Sequence, residues 1–396
     1  MTTATFQRAL PRSSFNLKPT GIALTLIALG ATYLAATVTW RQGALFLVGA
    51  AAGVTLYHAA FGFTSSWRAV IREGRGDGLR AQMLMLAVTC TIFLPMLARG
   101  EIFGVPVRGA VAPVGISVIF GAFLFGVGMQ LGGGCASGTL YTVGGGSVRM
   151  LATLGGFIVG SVMGARHLPF WESTPALKPI SLLSRLGLVA GLVVSLLLFG
   201  AVALVSFVVE RRRRPPDNRR QPIDARSLWL RGPWPLAAGA LGLTAVNVAT
   251  LTLSGRPWGI TSAFALWGSK GLAAAGVNVA SWGYWQAPAN AAALKASILT
   301  DVTSVMDIGI ILGALMAAGL AGRFAPLWNV PQRAVVAAVI GGLMLGYGAR
   351  IAYGCNIGAY FSGIASSSLH GWVWFAAAFA GNAVGTRIRP YFGLRV

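Results

Sequence analysis

Long apolar stretches alternate with short polar connectors along nearly the whole chain. They run at about 21–40, 43–63, 81–98, 111–131, 148–164 and 183–209, and after a polar break at 236–253, 258–277, 297–321, 334–352 and 371–386. An α-helix rises about 1.5 Å per residue, so roughly 20 apolar residues cross a hydrocarbon core about 30 Å thick. The pattern predicts an all-α integral membrane protein, a polytopic helical bundle with about 9 to 11 spans. Some runs are short or rich in glycine and read as half-spans or re-entrant pieces. The first run exceeds the roughly 7–15-residue core of a signal peptide and reads as a retained span.

Composition sharpens this picture. Of 396 residues, 55% are hydrophobic and 10% charged, with a mean hydropathy of +0.71. A soluble domain carries about 25% charge, so lipid is the expected solvent. The net charge of +22 comes from arginines placed between apolar runs, as the positive-inside rule requires. No nucleic-acid partner is expected. A positive field also favours entry of anions. Residues 68–80 carry Arg68, Arg72, Arg75 and Arg80, and residues 210–231 carry eight arginines from Arg211 to Arg231. Both connectors read as cytoplasmic.

The strongest internal signal is a duplication. Residues 121–141 read GAFLFGVGMQLGGGCASGTLY and residues 341–361 read GGLMLGYGARIAYGCNIGAYF. An offset of 220 aligns Gly121 with Gly341, Gly126 with Gly346, Gly128 with Gly348, Gly134 with Gly354 and Cys135 with Cys355. One residue later in register, GSVMGAR at 160–166 matches GNAVGTR at 381–387. Two of only three cysteines thus share one slot. The repeat predicts a single transmembrane domain of two similar halves, about 20–166 and 236–390. A connecting span and basic cytoplasmic loop join them at about 183–235.

Internally repeated membrane proteins are commonly transporters, with the substrate site at the repeat interface near the bilayer midplane. Non-helical backbone at that depth survives only where protein or a cavity surrounds it. GGGCASG and YGCNIGA are therefore expected to be re-entrant or broken-helix loops that line the pathway. The alternative is that the glycines only let helices approach closely, which suits Gly121 and Gly341 better. Backbone N–H groups of Gly134 and Gly354, with Ser137, Thr139 and Asn356, suit an anion. Cys135 and Cys355 add soft, polarisable S–H groups able to meet a terminal sulfur atom. They are expected to act as neutral thiols, because a thiolate would repel an anion.

Other residues carry weaker signals. Gln130 and Arg350 stand in equivalent slots ahead of each cysteine. Arg350 either attracts an anion or snorkels to the interface. Tyr353 either gates or packs. Cys90 is a small buried hydrophobe or a third thiol on the path. Asp307 is a candidate for proton coupling, whereas Asp301 is better explained by a helix end. His58 reads as a hydrogen-bonded interior histidine rather than a proton relay. Three cysteines and three histidines without ligand spacing make a disulfide framework or metal site unexpected, and no cofactor is expected. No P-loop is present, so the chain does not itself hydrolyse ATP.

The two loops, GVGMQLGGGCASGTLY at 126–141 and GYGARIAYGCNIGAYFSG at 346–363, resemble those of the YeeE/YedE sulfur-transport family, as does PWGITSAFALWG at 257–268. The resemblance runs from about residue 43 to 389. It implies uptake of thiosulfate across the inner membrane, with Cys135 and Cys355 contacting the ion in succession. It also implies a small cytoplasmic sulfur-carrier partner of the TusA type. Family members often have a further cysteine where FGFTSSWR at 61–68 has Gly62. That departure keeps other sulfur or selenium species open as cargo. The competing classes are a membrane sulfurtransferase forming a persulfide on Cys135 or Cys355, which needs an activated thiolate, and a structural or assembly protein.

Overall fold

The structure is a computed structural model and describes residues 15–213 and 229–394. Nine helical stretches among these residues are long and apolar enough to cross a bilayer, and the chain is a multi-pass helical bundle. The first half holds α1 (Leu17–Thr37), α2 (Trp40–Ala59), α3 (Phe63–Glu73), α4 (Asp77–Arg99), α5 (Ile116–Gly132), α6 (Ala136–Gly144), α7 (Val148–Glu172) and α8 (Leu182–Arg213). Then come α9 (Leu236–Ser254), α10 (Thr261–Ala274), α11 (Gly283–Gln286), α12 (Pro288–Lys295), α13 (Val302–Leu320) and α14 (Gln332–Ile351). A π-helical turn (Asn356–Phe361) leads into α15 (Ser362–Ala365), and α16 (Leu369–Ile388) follows. Two pairs of two-residue strands tie the connectors, Glu101–Ile102 with Val105–Pro106 and Val114–Gly115 with Ala176–Leu177.

Local chemistry sets the helix ends. Thr39 caps α2 by accepting the Gln42 N–H at 3.1 Å. Asp301 caps α13, accepting the Ser304 N–H at 2.8 Å and its hydroxyl at 2.7 Å, in line with its reading as a helix-end residue. In the interior α14 packs against both α5 and α7, α16 packs against α5, and α13 packs against α2. Helices α1 and α8 stay peripheral and expose large apolar side chains, Val189 and Leu197 among them. Exposed apolar surface of that extent fits contact with lipid.

The run 258–277 gave a span-length expectation that the structure corrects. Helix α10 has 14 residues, about 21 Å at 1.5 Å per residue, and the chain then turns through Gly276 at φ +88°. Ala263, Phe264, Ala265 and Leu266 are buried, so the first part of this run is packed inside protein, while Gly271 and Ala273 to Val277 are exposed. The basic stretch 210–231 falls largely outside the described residues, Arg214, Arg219, Arg220 and Arg226 included.

Candidate functional site

Both glycine–cysteine segments interrupt helices. Helix α5 stops at Gly132, with Gly133 in the left-handed region (φ +91°) and its N–H on the Met129 carbonyl. Cys135 then caps α6: its Sγ accepts the Gly138 N–H at 3.4 Å and lies 3.3 Å from the Ser137 hydroxyl. Thr139 turns its hydroxyl back to the Cys135 carbonyl at 2.8 Å, so it shapes the first turn of α6. In the second segment α14 stops at Ile351. Tyr353 and Gly354 follow at φ +58° and +149°, and Cys355 precedes the π-helical turn. Trp374 holds this loop, donating its indole N–H to the Gly354 carbonyl at 3.1 Å.

The two segments come together. Helix α6 packs against the turn Asn356–Phe361, and Cys135 and Cys355 belong to one buried cluster. Cys135 and Cys355 are buried, at 2% and 0% exposure. Beside them Asn356 is fully buried, and neither its amide nitrogen nor its oxygen has a partner among the described residues. An unpaired buried carboxamide costs about 1–3 kcal/mol per group. The stretch 257–268 braces this segment from behind: Asn247 accepts the Trp258 N–H at 2.8 Å and donates to the Ser362 hydroxyl at 3.1 Å, and that hydroxyl donates to the Trp258 carbonyl at 2.7 Å.

The weaker candidates fall elsewhere. Gln130 is fully buried and engaged, with its amide on the Thr64 carbonyl (3.2 Å) and on Asn382 Oδ1 (2.5 Å). Arg350 donates to the Tyr284 hydroxyl and the Thr261 carbonyl, each at 2.8 Å, which ties it to α10 and α11. Cys90 points its thiol at the carbonyls of Ile364 and Ala365, 3.6 and 3.9 Å away. Tyr353 lines a cavity of about 250 Å3 with Trp171 and Glu172. His58 is buried as expected, but its Nδ1 has no partner among the described residues.

Sequence reasoning missed a basic cluster on the chain leading into the first loop. Arg149 donates to the Leu131 carbonyl at 2.6 Å, Arg389 to the Gln130 carbonyl at 2.6 Å and Arg68 to Gln130 Oε1 at 3.2 Å. Cations suit these last carbonyls of α5. Arg149 stands in the first turn of α7, with the whole of α6 between it and the GGGCASG segment, so no spacing signal in the sequence pointed to this cluster.

Gly62 opens α3 in ordinary extended backbone, φ −107° and ψ 115°. An added β-carbon would closely approach only the Ser65 hydroxyl, at 2.5 Å, and a serine rotamer change clears it. Gly62→Cys is therefore expected to cost within about 0.5 kcal/mol, seen as a melting temperature within a few degrees of wild type in detergent. A larger drop would mean that the fold needs glycine here.

Comparison with known proteins fits this arrangement. A family model described as "Sulphur transport" matches residues 58–384. The thiosulfate transporter TsuA of Spirochaeta thermophila is 28% identical over 351 residues, 85% of this chain and 95% of that protein. The probable transporter YedE of Salmonella typhimurium is 31% identical over 173 residues, 43% of this chain and 42% of that protein. Its Escherichia coli counterpart is 32% identical over 170 residues, 42% of this chain and 40% of that protein. The chain thus spans about two-fifths of the length of both YedE proteins. Because the family match takes in both glycine–cysteine segments and the stretch that braces the second, the chain belongs to the Sulphur transport family.

Proposed function

We propose that this chain is a permease of the inner (plasma) membrane that imports thiosulfate or a related small sulfur-containing anion. The anion passes between the S–H groups of Cys135 and Cys355. The observation that carries this reading is the meeting of two buried segments, each opened by a cysteine, beside the unpartnered carboxamide of Asn356. The family match and the likeness to a protein named as a thiosulfate transporter support the cargo.

Each group has a separate task. Neutral thiols offer weak contacts to a terminal sulfur. The Asn356 amide donates to oxygen. Weak contacts in sequence let an ion enter and leave, where one tight site would hold it. The Tyr353 cavity serves as one mouth, and the Arg68, Arg149 and Arg389 cluster draws anions at the other.

Helix packing supports the two-half layout, about 20–166 and 236–390, around this site. A β-carbon added at Gly126 would lie 2.1 Å from the Ala378 carbonyl oxygen, and one at Gly346 would lie 2.1 Å from that of Phe157. Offsets of 220 and 221 turn the first contact into the second. The same operation turns Gly381 against Phe123, at 2.0 Å, into Gly160 against Leu343, at 2.2 Å. Two related halves packed about a pseudo-twofold axis would place equivalent contacts in this way.

Uptake of sulfur-labelled thiosulfate into cells lacking other sulfur importers tests the reading. Excess unlabelled thiosulfate should suppress uptake to below about a tenth, while equal sulfate, which lacks a terminal sulfur, should leave most of it. Asn356→Ala should raise the half-saturating concentration about tenfold, the equivalent of about 1.4 kcal/mol. Equal competition by sulfate would rule out selection by the thiols, and no uptake by the wild type would reject thiosulfate as cargo.

A further inference from the structure

Asp307 on α13 has no structural employment. Its side chain is fully buried, and neither carboxyl oxygen has a partner among the described residues. Asp301, by contrast, is used up as the α13 cap. Helix α13 packs against α6, the helix that Cys135 caps, so closely that a β-carbon on Gly144 would lie 2.3 Å from the Ile311 carbonyl oxygen. Met306 and Ile310, which flank Asp307 along α13, belong to the same buried cluster as Cys135 and Cys355, and Asn356, next to Cys355, is a second unpartnered polar group. A buried ionised carboxylate without donors is strongly penalised, while the neutral acid loses far less. An arriving anion adds like charge and favours the neutral acid further. Only the neutral acid can donate a hydrogen bond to that anion.

We propose that Asp307 carries the coupling proton, making the chain an anion–proton symporter. The protonated carboxyl donates to the anion at the Cys355 segment, and its proton leaves to water on the side where the anion leaves. One proton is taken up and one released, and no bond to sulfur changes. This rests on the permease reading above. The charged groups on the helices packed against α13 leave the role to Asp307: Lys270 donates to the Leu294 and Ala296 carbonyls, Arg41 lies over the Trp40 ring, and Lys18 stands at the far start of α1. The remaining titratable groups on those helices are Tyr33 on α1, Tyr57 and His58 on α2, and Tyr141 on α6. Of these His58, with its unpartnered Nδ1, is the rival proton site.

The test uses the full chain in liposomes containing a pH-reporting dye, with the membrane potential clamped. Labelled thiosulfate is added outside, and label and internal pH are followed together. Wild type should acidify the lumen as label enters, and an acid-outside gradient should raise accumulation at least about fivefold. Asp307→Asn, which keeps the shape, should admit label down its gradient without acidification and without response to the pH gradient. Asp307→Glu should restore part of both. Wild-type flux without proton movement overturns the proposal whether or not the variant folds. So does acidification that survives in Asp307→Asn, or that is lost only in His58→Gln. No entry of label with wild type removes the permease reading and this inference with it.

Discussion

Cys355→Ala, at wild-type membrane expression, is expected to cut uptake of labelled thiosulfate to below about a tenth, and Cys135→Ala to do the same. The reason is that neither thiol is needed mainly for packing. Loss of one sulfur atom from a buried site costs only about 1 kcal/mol or so, well short of the 2–5 kcal/mol for losing a whole leucine side chain, so the protein should still fold. The loss in uptake would then report the missing S–H. Serine sharpens the test. At position 135 a serine hydroxyl is a good helix N-cap and can take over the Gly138 N–H that Cys135 Sγ now accepts. Cys135→Ser should therefore fold at least as well as wild type while offering the anion a harder, more strongly hydrated group. Uptake at a wild-type rate by the serine variants would mean that polarity and not softness matters there. Undiminished uptake by both alanine variants would remove the thiols from the mechanism and leave the permease. Measurement of initial rates with surface expression held equal separates these outcomes.

Most helices were legible because their signal is local. The runs at 21–40, 43–63 and 334–352 became Leu17–Thr37, Trp40–Ala59 and Gln332–Ile351, since a lipid-crossing helix must be apolar over its own length. The run at 258–277 misled because its first part is apolar through burial in protein and its helix ends at Ala274, after 14 residues. The two loops could be read from Gly134, Cys135, Gly354 and Cys355 because a broken helix needs glycine and a repeated cysteine is rare. What stayed hidden was pairing over long sequence distances. Arg350 finds Tyr284 and Thr261, 66 and 89 residues away in sequence. Arg149 and Arg389 find the end of α5 from positions whose spacing gives no hint of it. The orphaned state of Asn356 and Asp307 is a property of everything around them, which a linear pattern does not carry.

Gly354→Ala and Gly134→Ala occupy matching slots in the two loops, yet they should differ sharply. Gly354 has φ +149°, where side-chain-bearing residues are strained by about 1–3 kcal/mol. A β-carbon there would lie 2.7 Å from the Ala359 nitrogen, the atom that donates to the Cys355 carbonyl at 2.8 Å. Relief requires the loop to shift, and with it the Cys355 thiol and the Asn356 amide. Gly134 has no such backbone requirement, and its nearest neighbours to an added β-carbon are 3.2–3.3 Å away, one of them the flexible end of Met150. Gly354→Ala should lose at least about tenfold in uptake, since loop strain of about 1.4 kcal/mol or more is enough for that. Gly134→Ala should keep a third or more. Both variants should remain folded, because the contacts of α14 with α5 and α7 do not involve these residues. The check is initial uptake rates alongside melting temperatures in detergent. A reversed order, with Gly134→Ala the more damaged, would mean that the transport-limiting conformation belongs to the first loop and that the positive φ at Gly354 is incidental to it.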